Sequence, residues 1–322
     1  RVVRRRCRVP SRTYSANRHE QATAPEASDN PTVGEIFRRY GPAYVAKYGS
    51  RMSIDQLRAL QMIQRCRTGR LGSIVYHCSS CGSEHRVLRS CGNRHCPACQ
   101  SQKGTRWLAA QVAKLLPCAY FMLTFTVPSA LRRFIRSHPK ECLPVLFDAA
   151  RDTLRELAEN PKHIGSSRLG MTAVLHTWGR NLSYHPHTHF IVPGGALSSD
   201  GSAWLPSSPN FLVPVKAASV LFRAKFRAAM QACGLLEQIP EVVWRQNWVV
   251  NCKVVGDGSK ALRYLAAYVY RVAITNRRIV KIVPRSTARD SLLDMIVYRY
   301  RPSGSKRYIE TQVTAEEFMR RL

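Results

Sequence analysis

The alternation of apolar and polar residues predicts helices in the first part of the chain. In the segment SIDQLRALQMIQRCRTG, apolar residues recur every three or four positions. Ser53 and Gln56 occupy the two positions of a capping box, and Gly69 follows the last periodic residue. A second helix is predicted through TRWLAAQVAKLL, and Pro117 ends it.

Strand patterns begin at residue 118 and alternate irregularly with helical ones. Predicted strands are AYFMLTFTV, MTAVLHTW, HTHFIVP, NWVVNCKVV, RRIVKIV, MIVYRYR and KRYIETQVT. Predicted helices are VLFDAARDTLRELAEN, ASVLFRAKFRAAMQAC and SKALRYLAAYVYRVA. Short turns join the second strand to the third and the last two to each other, so neighbouring strands run antiparallel. We therefore predict an α+β fold with a central antiparallel sheet flanked by helices.

The same patterns divide the chain into three predicted parts. Residues 1–31 are rich in Arg, Ser, Ala and Pro and predict a disordered basic arm. Residues 32–116 predict a helical segment with a small cysteine-containing domain, and residues 117–322 hold the α+β domain. A helix predicted after Thr314 stops at Leu322 after about two turns, too short to be stable alone. With no initiating Met either, we expect the natural protein to be longer.

Charge changes the interpretation of this fold. The chain has 50 Lys and Arg against 20 Asp and Glu, a formal net charge of +30, spread along its length. The electric field of so positively charged a chain attracts polyanions, so nucleic acid is the expected partner and an acidic membrane surface is the second choice. No apolar run approaches the ~18–20 residues of a membrane helix, and no apolar segment follows the basic N-terminus to form a secretory signal. We expect no membrane association.

Five of the 11 cysteines lie within the segment HCSSCGSEHRVLRSCGNRHCPACQ. Cys78 and Cys81 form one Cys-x2-Cys knuckle, Cys96 and Cys99 form another, and two such knuckles complete a tetrahedral zinc site. We predict structural Zn²⁺ on these four residues in a zinc ribbon. The alternate ligands are Cys91 and His95. The competing interpretation is a set of buried cysteines without metal.

The role of this predicted zinc site is open. Arg94 and Lys103 lie near the knuckles and are candidates for contact with nucleic acid. A purely structural role is equally compatible, because a structural zinc supplies folding free energy by itself.

The segment YHPHTHFIVPGG places histidines at alternate positions. Residues i and i+2 of a strand share a face, so His187 and His189 project side by side, as two ligands of one divalent metal would. His185 could join them, although Pro186 suggests that the strand starts there. Buried structural histidines are the alternative. An open site acting on phosphate favours Mg²⁺ or Mn²⁺.

The helix RYLAAYVYR places Tyr264 and Tyr268 one turn apart on one face. Two tyrosines packed into the core would give the same pattern. Basic residues crowd this part of the chain, however, and could hold a phosphodiester and lower the pKa of a phenol. They are Arg263, Arg271, Arg277 and Arg278. A tyrosine beside a metal-bound phosphate is a candidate covalent nucleophile.

In combination, several motifs make the chain similar to a known family. They are IFRRYGPAY, NRHCPACQ, FTVP, AVLHTWG, HPHTHFIVPGG, YLAAYVYRVAI and EEFMRRL. With them the chain resembles the IS91-type transposases, which belong to the HUH (His-hydrophobe-His) class of single-strand endonucleases and carry an N-terminal zinc-binding domain. The resemblance covers roughly residues 33–322.

The resemblance implies a mechanism. His187 and His189 would hold a divalent cation against the scissile phosphate. Tyr264 or Tyr268 would attack it, giving a 5′-phosphotyrosine and a free 3′-hydroxyl, and strand transfer would need no ATP. The implied activity is rolling-circle transposition, with single-stranded or hairpin ends of the element and target DNA as partners. The implied location is the bacterial cytoplasm, at the nucleoid.

Two positions depart from the family pattern. Thr188 replaces the hydrophobe between the histidines, and Arg180 stands where the family commonly has Gln. A guanidinium cannot ligate a metal, so His176 or His185 must supply the third ligand, or this copy is catalytically weakened.

Two further functions stay open on the sequence. One is a degenerate, non-catalytic zinc-ribbon protein that binds single-stranded DNA. The other is a plasmid replication initiator or relaxase with the same chemistry, although the chain contains no helicase P-loop motif.

Overall fold

The protein is described by a computed structural model that covers residues 30–266, 268, 269, 273–285, 290–302, 305 and 307–322. Nearly all of the predicted basic arm therefore lies outside the described residues, as does Arg271. The described part forms two compact units, one from the residues up to Gln100 together with Ile274–Leu322, the other from Ser101–Ala273. This grouping differs from the predicted three-part division, because the last strands join the N-terminal helices.

The described helices and strands follow the predicted order. The helices are α1 (Val33–Tyr48), α2 (Ile54–Arg65), α3 (Pro97–Val112), α4 (Arg132–Ser137), α5 (Pro139–Glu159), α6 (Val215–Ala232), α7 (Val242–Arg245), α8 (Ser259–Ala266) and α9 (Ala315–Arg321). The strands are β1 (Ser73–His77), β2 (Glu84–Leu88), β3 (Tyr120–Thr126), β4 (Thr172–Trp178), β5 (Tyr184–Pro193), β6 (Gly195–Leu197), β7 (Trp204–Pro206), β8 (Val249–Val254), β9 (Ile279–Val283), β10 (Met295–Tyr300) and β11 (Ile309–Thr314). Among the described residues, no helix has the length and apolarity needed to cross a bilayer.

Side-chain caps set the starts of several helices. At α2 the Gln56 amide donates to Ser53 Oγ and the Ser53 amide donates to Gln56 Oε1, which is the predicted capping box. At α9 the amide of Glu317 donates to the side chain of Thr314. These local bonds satisfy amides that have no partner within the first turn of a helix.

Helix α8 is shorter than predicted. Its described residues end at Ala266, whereas the apolar pattern extends to Ala273. The amide of Tyr268 donates to the carbonyl of Leu265 at 2.8 Å, three residues back, so the chain tightens into a turn after the helix. Tyr268 therefore lies in that turn.

A central antiparallel sheet organises the second unit. Its strand order is β4-β5-β3-β8. One face carries residues such as Phe121, Leu123 and Phe190, which form the main hydrophobic core with α5 and α6. The predicted mixed fold with a central antiparallel sheet is confirmed.

The opposite face of this sheet carries a smaller apolar cluster. Tyr120, Val174 and Ile191 of the sheet pack with the apolar side of α8, which consists of Ala261, Leu262 and Leu265. The same face continues toward the polar residues of β4 and β5, because successive side chains of a strand alternate between faces.

In the first unit, a buried carboxylate joins α1 to the sheet β11-β10-β9 and to α9. The side chain of Asp294 accepts hydrogen bonds from the Tyr40 hydroxyl at 2.8 Å, the Arg39 guanidinium at 3.1 Å and the Arg285 amide at 2.9 Å. Its backbone carbonyl accepts from the amide of Ala315 at 2.7 Å. Burial alone would raise the pKa of Asp294, but the donated hydrogen bonds and the charge of Arg39 outweigh burial and lower it.

We predict that Asp294→Ala lowers the free energy of unfolding by about 2–4 kcal/mol, because it leaves the buried Tyr40 hydroxyl and the Arg285 amide without an acceptor. Urea unfolding followed by circular dichroism measures the change. Asp55→Ala, at an exposed position in the first turn of α2, is the control and should cost less than about 1 kcal/mol. Equal losses in both variants would contradict the role given to Asp294.

Candidate functional site

Three histidines meet where β4 pairs with β5. In the antiparallel register His176 lies opposite His187, and Val174 lies opposite His189. His187 and His189 share a face of β5, as predicted, and His176 lies on the same face of β4. The bulge in the pairing between His176 and Trp178 falls just beyond the site.

The three imidazoles are close enough to bind one ion. One ring nitrogen from each of His176, His187 and His189 lies within 4.8 Å of the other two. The ring centroids are 4.4 Å apart for His176 and His189, 4.9 Å for His187 and His189, and 5.0 Å for His176 and His187. The cluster is formed by two strands rather than by the His-x-His motif alone.

Neighbouring groups orient the rings. His187 Nδ1 donates to the carbonyl of His185 at 2.6 Å, which leaves the lone pair on Nε2. His189 Nδ1 bonds to Thr124 Oγ1 at 2.9 Å. The Nε2 atoms of His176 and His189 are buried and have no hydrogen-bond partner among the described residues. Buried polar atoms without a partner are costly, and a bound cation would satisfy these two.

Burial keeps these histidines in the neutral form. It lowers the pKa of His189 to about 3, with smaller effects of the same sign from the charges of His187 and Arg180. Burial also lowers the pKa of His176 and of His187. Neutral imidazoles are the form that ligates metals, so protons do not compete with a cation near pH 7. The residues present therefore fit a divalent cation.

Of the two residues predicted as a possible third ligand, the structure places one in the cluster. His176 completes the cluster, whereas His185 lies beside His187, with ring centroids 5.0 Å apart, and stays outside it. Arg180 lies close enough for its charge to act on His189 but offers no donor to a metal. The pairing of His176 with His187 brings the third donor into the cluster, and this register is a property of the folded sheet and not of either strand alone.

Both candidate tyrosines lie against the histidine cluster. The Tyr268 ring centroid is 4.1 Å from that of His176, and the Tyr264 centroid is 6.2 Å from that of His189. The two tyrosine rings are 5.4 Å apart. Tyr264 is 37% exposed, so its ring is accessible to a polymeric substrate. One tyrosine on α8 and one in the turn that follows it therefore both lie against the histidine cluster.

The basic residues predicted to bind nucleic acid divide between the units. Arg263 and Lys103 are exposed in the unit that contains the histidines. Arg94 is exposed in the first unit, which also contains Arg277 and Arg278. The guanidinium of Arg278 donates to the carbonyl of Arg299 at 2.9 Å, so this side chain has a structural contact.

A second cluster consists of sulfur atoms. The thiols of Cys66, Cys91, Cys96 and Cys99 lie within 4.8 Å of one another. Cys99 Sγ is 3.3 Å from Cys66 Sγ and 3.4 Å from Cys91 Sγ. Four thiolates around Zn²⁺ at about 2.3 Å leave adjacent sulfurs roughly 3.8 Å apart, so this spacing fits a tetrahedral zinc site. Bonds from the neighbouring thiols lower the pKa of Cys99 to about 4.

This quartet differs from the predicted one. Cys96 and Cys99 belong to it, and Cys91, predicted as an alternate, takes part, but Cys78 and Cys81 do not. His95 lies outside the quartet as well, with its Nε2 3.3 Å from Arg94 Nε. Cys66, the fourth member of the quartet, was not among the predicted ligands.

The geometry of the β1–β2 hairpin explains why Cys78 and Cys81 lie outside the quartet. Its register pairs Ser73 with Leu88 and His77 with Glu84, so the Cys78–Cys81 knuckle forms the exposed tip. Four residue steps of about 3.3 Å separate this tip from the base of the hairpin. At the base, the amide of Arg67 donates to the carbonyl of Arg89, which brings the flanking Cys66 and Cys91 together. The positions of Cys66 and Cys91, one on each side of the first Cys-x2-Cys knuckle, were the signal that the sequence offered for this pair.

Comparison with known proteins places these clusters in context. A family model described as "Transposase zinc-binding domain" matches residues 36–127, and one described as "Putative transposase" matches residues 170–322. The "Putative transposase y4qJ" of Sinorhizobium fredii is 37% identical over 314 residues, which cover 92% of this chain and 76% of that protein. The chain belongs to the IS91 family of transposases.

A second relative of this IS91-family transposase is the "Transposase for insertion sequence element IS801" of Pseudomonas savastanoi pv. phaseolicola. It is 26% identical over 277 residues, which cover 78% of this chain and 64% of that protein. No solved structure matches the chain significantly. The zinc-binding match includes all four clustered cysteines, so domain and geometry together support a structural zinc.

For the transposase we predict that Cys66→Ser releases zinc and lowers the unfolding temperature, because it removes a ligand of the thiolate cluster. Cys78→Ser is the matched control and should keep its zinc. Zinc content after dialysis, measured by atomic emission, together with thermal unfolding, checks both. Zinc loss in Cys78→Ser with retention in Cys66→Ser would restore the quartet predicted from the sequence.

We also predict that His176→Ala weakens Mn²⁺ binding at the histidine cluster by at least about ten-fold, since it removes one of three donors. His185→Ala should change the affinity by less than about three-fold, because the carbonyl that holds His187 belongs to the backbone and is retained. Isothermal titration calorimetry with zinc-loaded protein measures both. A larger loss in His185→Ala would show that the third donor had been assigned to the wrong residue.

Proposed function

We propose that this transposase nicks and rejoins single-stranded DNA through a 5′-phosphotyrosine, as the rolling-circle transposase of an IS91-like element. One observation supports the proposal: three neutral histidines lie close enough together to hold one cation, and two tyrosine rings lie directly against them. The central antiparallel sheet with His187 and His189 on one strand is the arrangement expected of an HUH-type catalytic domain, which we infer for the unit Ser101–Ala273.

The site suits a divalent cation with open coordination positions. Mg²⁺ prefers oxygen ligands, so three imidazoles favour Mn²⁺ over Mg²⁺, and Mn²⁺ is the ion to test first. When bound, such an ion neutralises charge on a phosphate and orients it. His176, His187 and His189 would hold it, while Thr124 and the His185 carbonyl keep two of the rings in place.

The tyrosines supply the covalent step. The phenol oxygen of Tyr264 or Tyr268 attacks the phosphorus, its proton passes to solvent, and the bond from phosphorus to the 3′ oxygen breaks. The 3′ oxygen leaves as a hydroxyl after taking up a proton. Because a phosphodiester replaces a phosphodiester, a 3′-hydroxyl can reverse the reaction without nucleotide hydrolysis. Two tyrosines allow one to hold a donor end while the other cleaves.

The remaining basic residues would guide the DNA. Exposed Arg263 and Lys103 lie in the unit of the histidine site and carry charge that phosphates attract. Arg94, next to the thiolate cluster, gives the zinc-binding domain a basic contact of its own. We infer that the substrates are single-stranded or hairpin ends of the element and target DNA in the bacterial nucleoid.

We predict a covalent protein–DNA complex when the transposase is incubated with end-labelled single strands that span the ends of its element. A band shifted on a denaturing gel should require Mn²⁺, disappear with EDTA, and be absent in His187→Ala. At least one of Tyr264→Phe and Tyr268→Phe should abolish it, because phenylalanine has no nucleophile. Tyr308→Phe, at an exposed tyrosine just before β11, is the matched control.

Other outcomes separate the alternatives. Binding of the single strands without any covalent complex, in full-length protein as well, would indicate a degenerate zinc-ribbon DNA-binding protein. A complex that rejoins only its own strand and never transfers it to a second DNA would favour a replication initiator or relaxase.

A further inference from the structure

An open cavity lies beside the candidate nucleophile Tyr264. Its volume is about 640 Å³, which falls within the roughly 300–1,000 Å³ of sites that bind small molecules. Met122 of β3 and Ala261 of α8 contribute apolar lining, as do Val255 and Gly256 in the turn that follows β8. Tyr264 lines the cavity as well, so one side chain borders both this cavity and the histidine cluster.

The pairing of β3 with β5 sets the distance from the cavity to the histidines. Met122 and Thr124 share one face of β3 and are two residues, or about 7 Å, apart. Thr124 lies opposite His189 in the antiparallel register, and its Oγ1 is 2.9 Å from His189 Nδ1. The cavity therefore begins about 7 Å along β3 from the residue that orients a histidine of the cluster, on the same face of the sheet.

Basic side chains lie beside this apolar cavity. Lys253 of the edge strand β8 lies opposite Met122 and is exposed. Lys260, the second residue of α8, is exposed and lines the cavity itself. Proteins that bind single-stranded DNA combine positive charge for the backbone with apolar and aromatic surface for the bases. The cavity, its tyrosine and the two lysines provide both kinds of contact.

The polar groups at the start of α8 favour a base over a phosphate as the occupant. Asp257 Oδ1 accepts hydrogen bonds from the Ser259 amide at 3.0 Å and from the Ser259 hydroxyl at 2.8 Å, so these donors are already used. The same bonds lower the pKa of Asp257, and its exposed carboxylate is charged at neutral pH. A carboxylate repels a phosphate but accepts hydrogen bonds from the amino groups of bases.

We propose that this cavity binds the nucleobase on the 3′ side of the cleaved bond. This inference rests on the proposed nicking function and assigns its DNA a binding subsite. In an in-line attack the leaving 3′ oxygen lies opposite the tyrosine oxygen, so the upstream nucleotide points away from Tyr264. The downstream nucleotide keeps its 5′ phosphate and, when Tyr264 attacks, stays bonded to this tyrosine. Its base packs against Met122 and the ring of Tyr264, while Lys260 contacts the DNA backbone.

Binding of DNA that stays uncleaved tests the subsite. The protein carries Tyr264→Phe and Tyr268→Phe, which keep both rings, and single strands that span the ends of the element are bound in the presence of Mn²⁺. An abasic site is moved along the strand one position at a time, and fluorescence anisotropy gives each affinity. Removal of the first base on the 3′ side of the cleaved bond should weaken binding by roughly ten-fold, the effect of losing one stacked base.

Variants of Met122 show whether this base occupies the cavity. Met122→Ala should reduce the cost of the abasic site at this position to less than about three-fold, because the base has lost an apolar contact, and should leave the cost at other positions unchanged. Met122→Leu, of similar volume, should restore most of the cost. A residue that only supports the fold would weaken binding of intact and abasic strands by the same factor.

The salt dependence of binding tests the contact with the backbone. Lys260→Gln should reduce the slope of log affinity against log salt concentration by about one, because it removes one phosphate contact. Lys216→Gln is the matched control, since Lys216 is the exposed second residue of α6 as Lys260 is of α8. Its slope should equal that of the parent protein.

Three results would overturn the proposal. One is an abasic scan in which no position depends on Met122, and another is a Met122-dependent position on the 5′ side of the cut mapped with wild-type protein. The third is a Lys260→Gln protein with an unchanged salt slope. If wild type forms no covalent complex at all, the nicking function fails, and the abasic scan, which needs no cleavage, still decides whether the cavity binds a base.

Discussion

The register between β4 and β5 is the constraint on which the candidate site depends. With His176 opposite His187, the three imidazoles share one face, and Leu175 opposite Thr188 points to the other. A slip of one residue would exchange these faces and place the histidines in the main core. The buried Thr188 shows why the central position of the motif must be small or apolar: it lies among core residues, and its hydroxyl has no partner within the described part.

Apolar packing also positions the tyrosines. The sheet face that carries the histidines continues as the apolar surface of Val174 and Ile191, on which Leu262 and Leu265 of α8 are packed. Because Tyr264 lies between these two leucines in sequence, docking α8 on the sheet determines where its phenol points. The candidate nucleophile Tyr264 is thus placed by apolar contacts of its own helix that involve no other candidate site residue.

Much of this arrangement could be predicted from the sequence, because it depends on local periodicity. The capping box of α2, the paired strands β4 and β5 and the shared face of His187 and His189 all follow from short-range pattern. The third ligand stayed open, since strand register depends on pairing that no single strand reveals. Cys66 was missed because only the folded hairpin brings Cys66 and Cys91 together at its base. The grouping of β9–β11 with the N-terminal helices was missed because it depends on long-range contacts that no local pattern reveals.

The two clusters differ in a way that argues for different roles. The thiolate cluster supplies four donors, which complete a tetrahedral site and leave no position for a substrate, as in structural zinc centres. The histidine cluster supplies three donors and leaves coordination positions open. Sulfur selects zinc strongly, whereas imidazole accepts several divalent ions. One chain can therefore hold a permanent ion that stabilises a domain and, in its other unit, an exchangeable ion with open coordination positions, which is what the proposed nicking function requires.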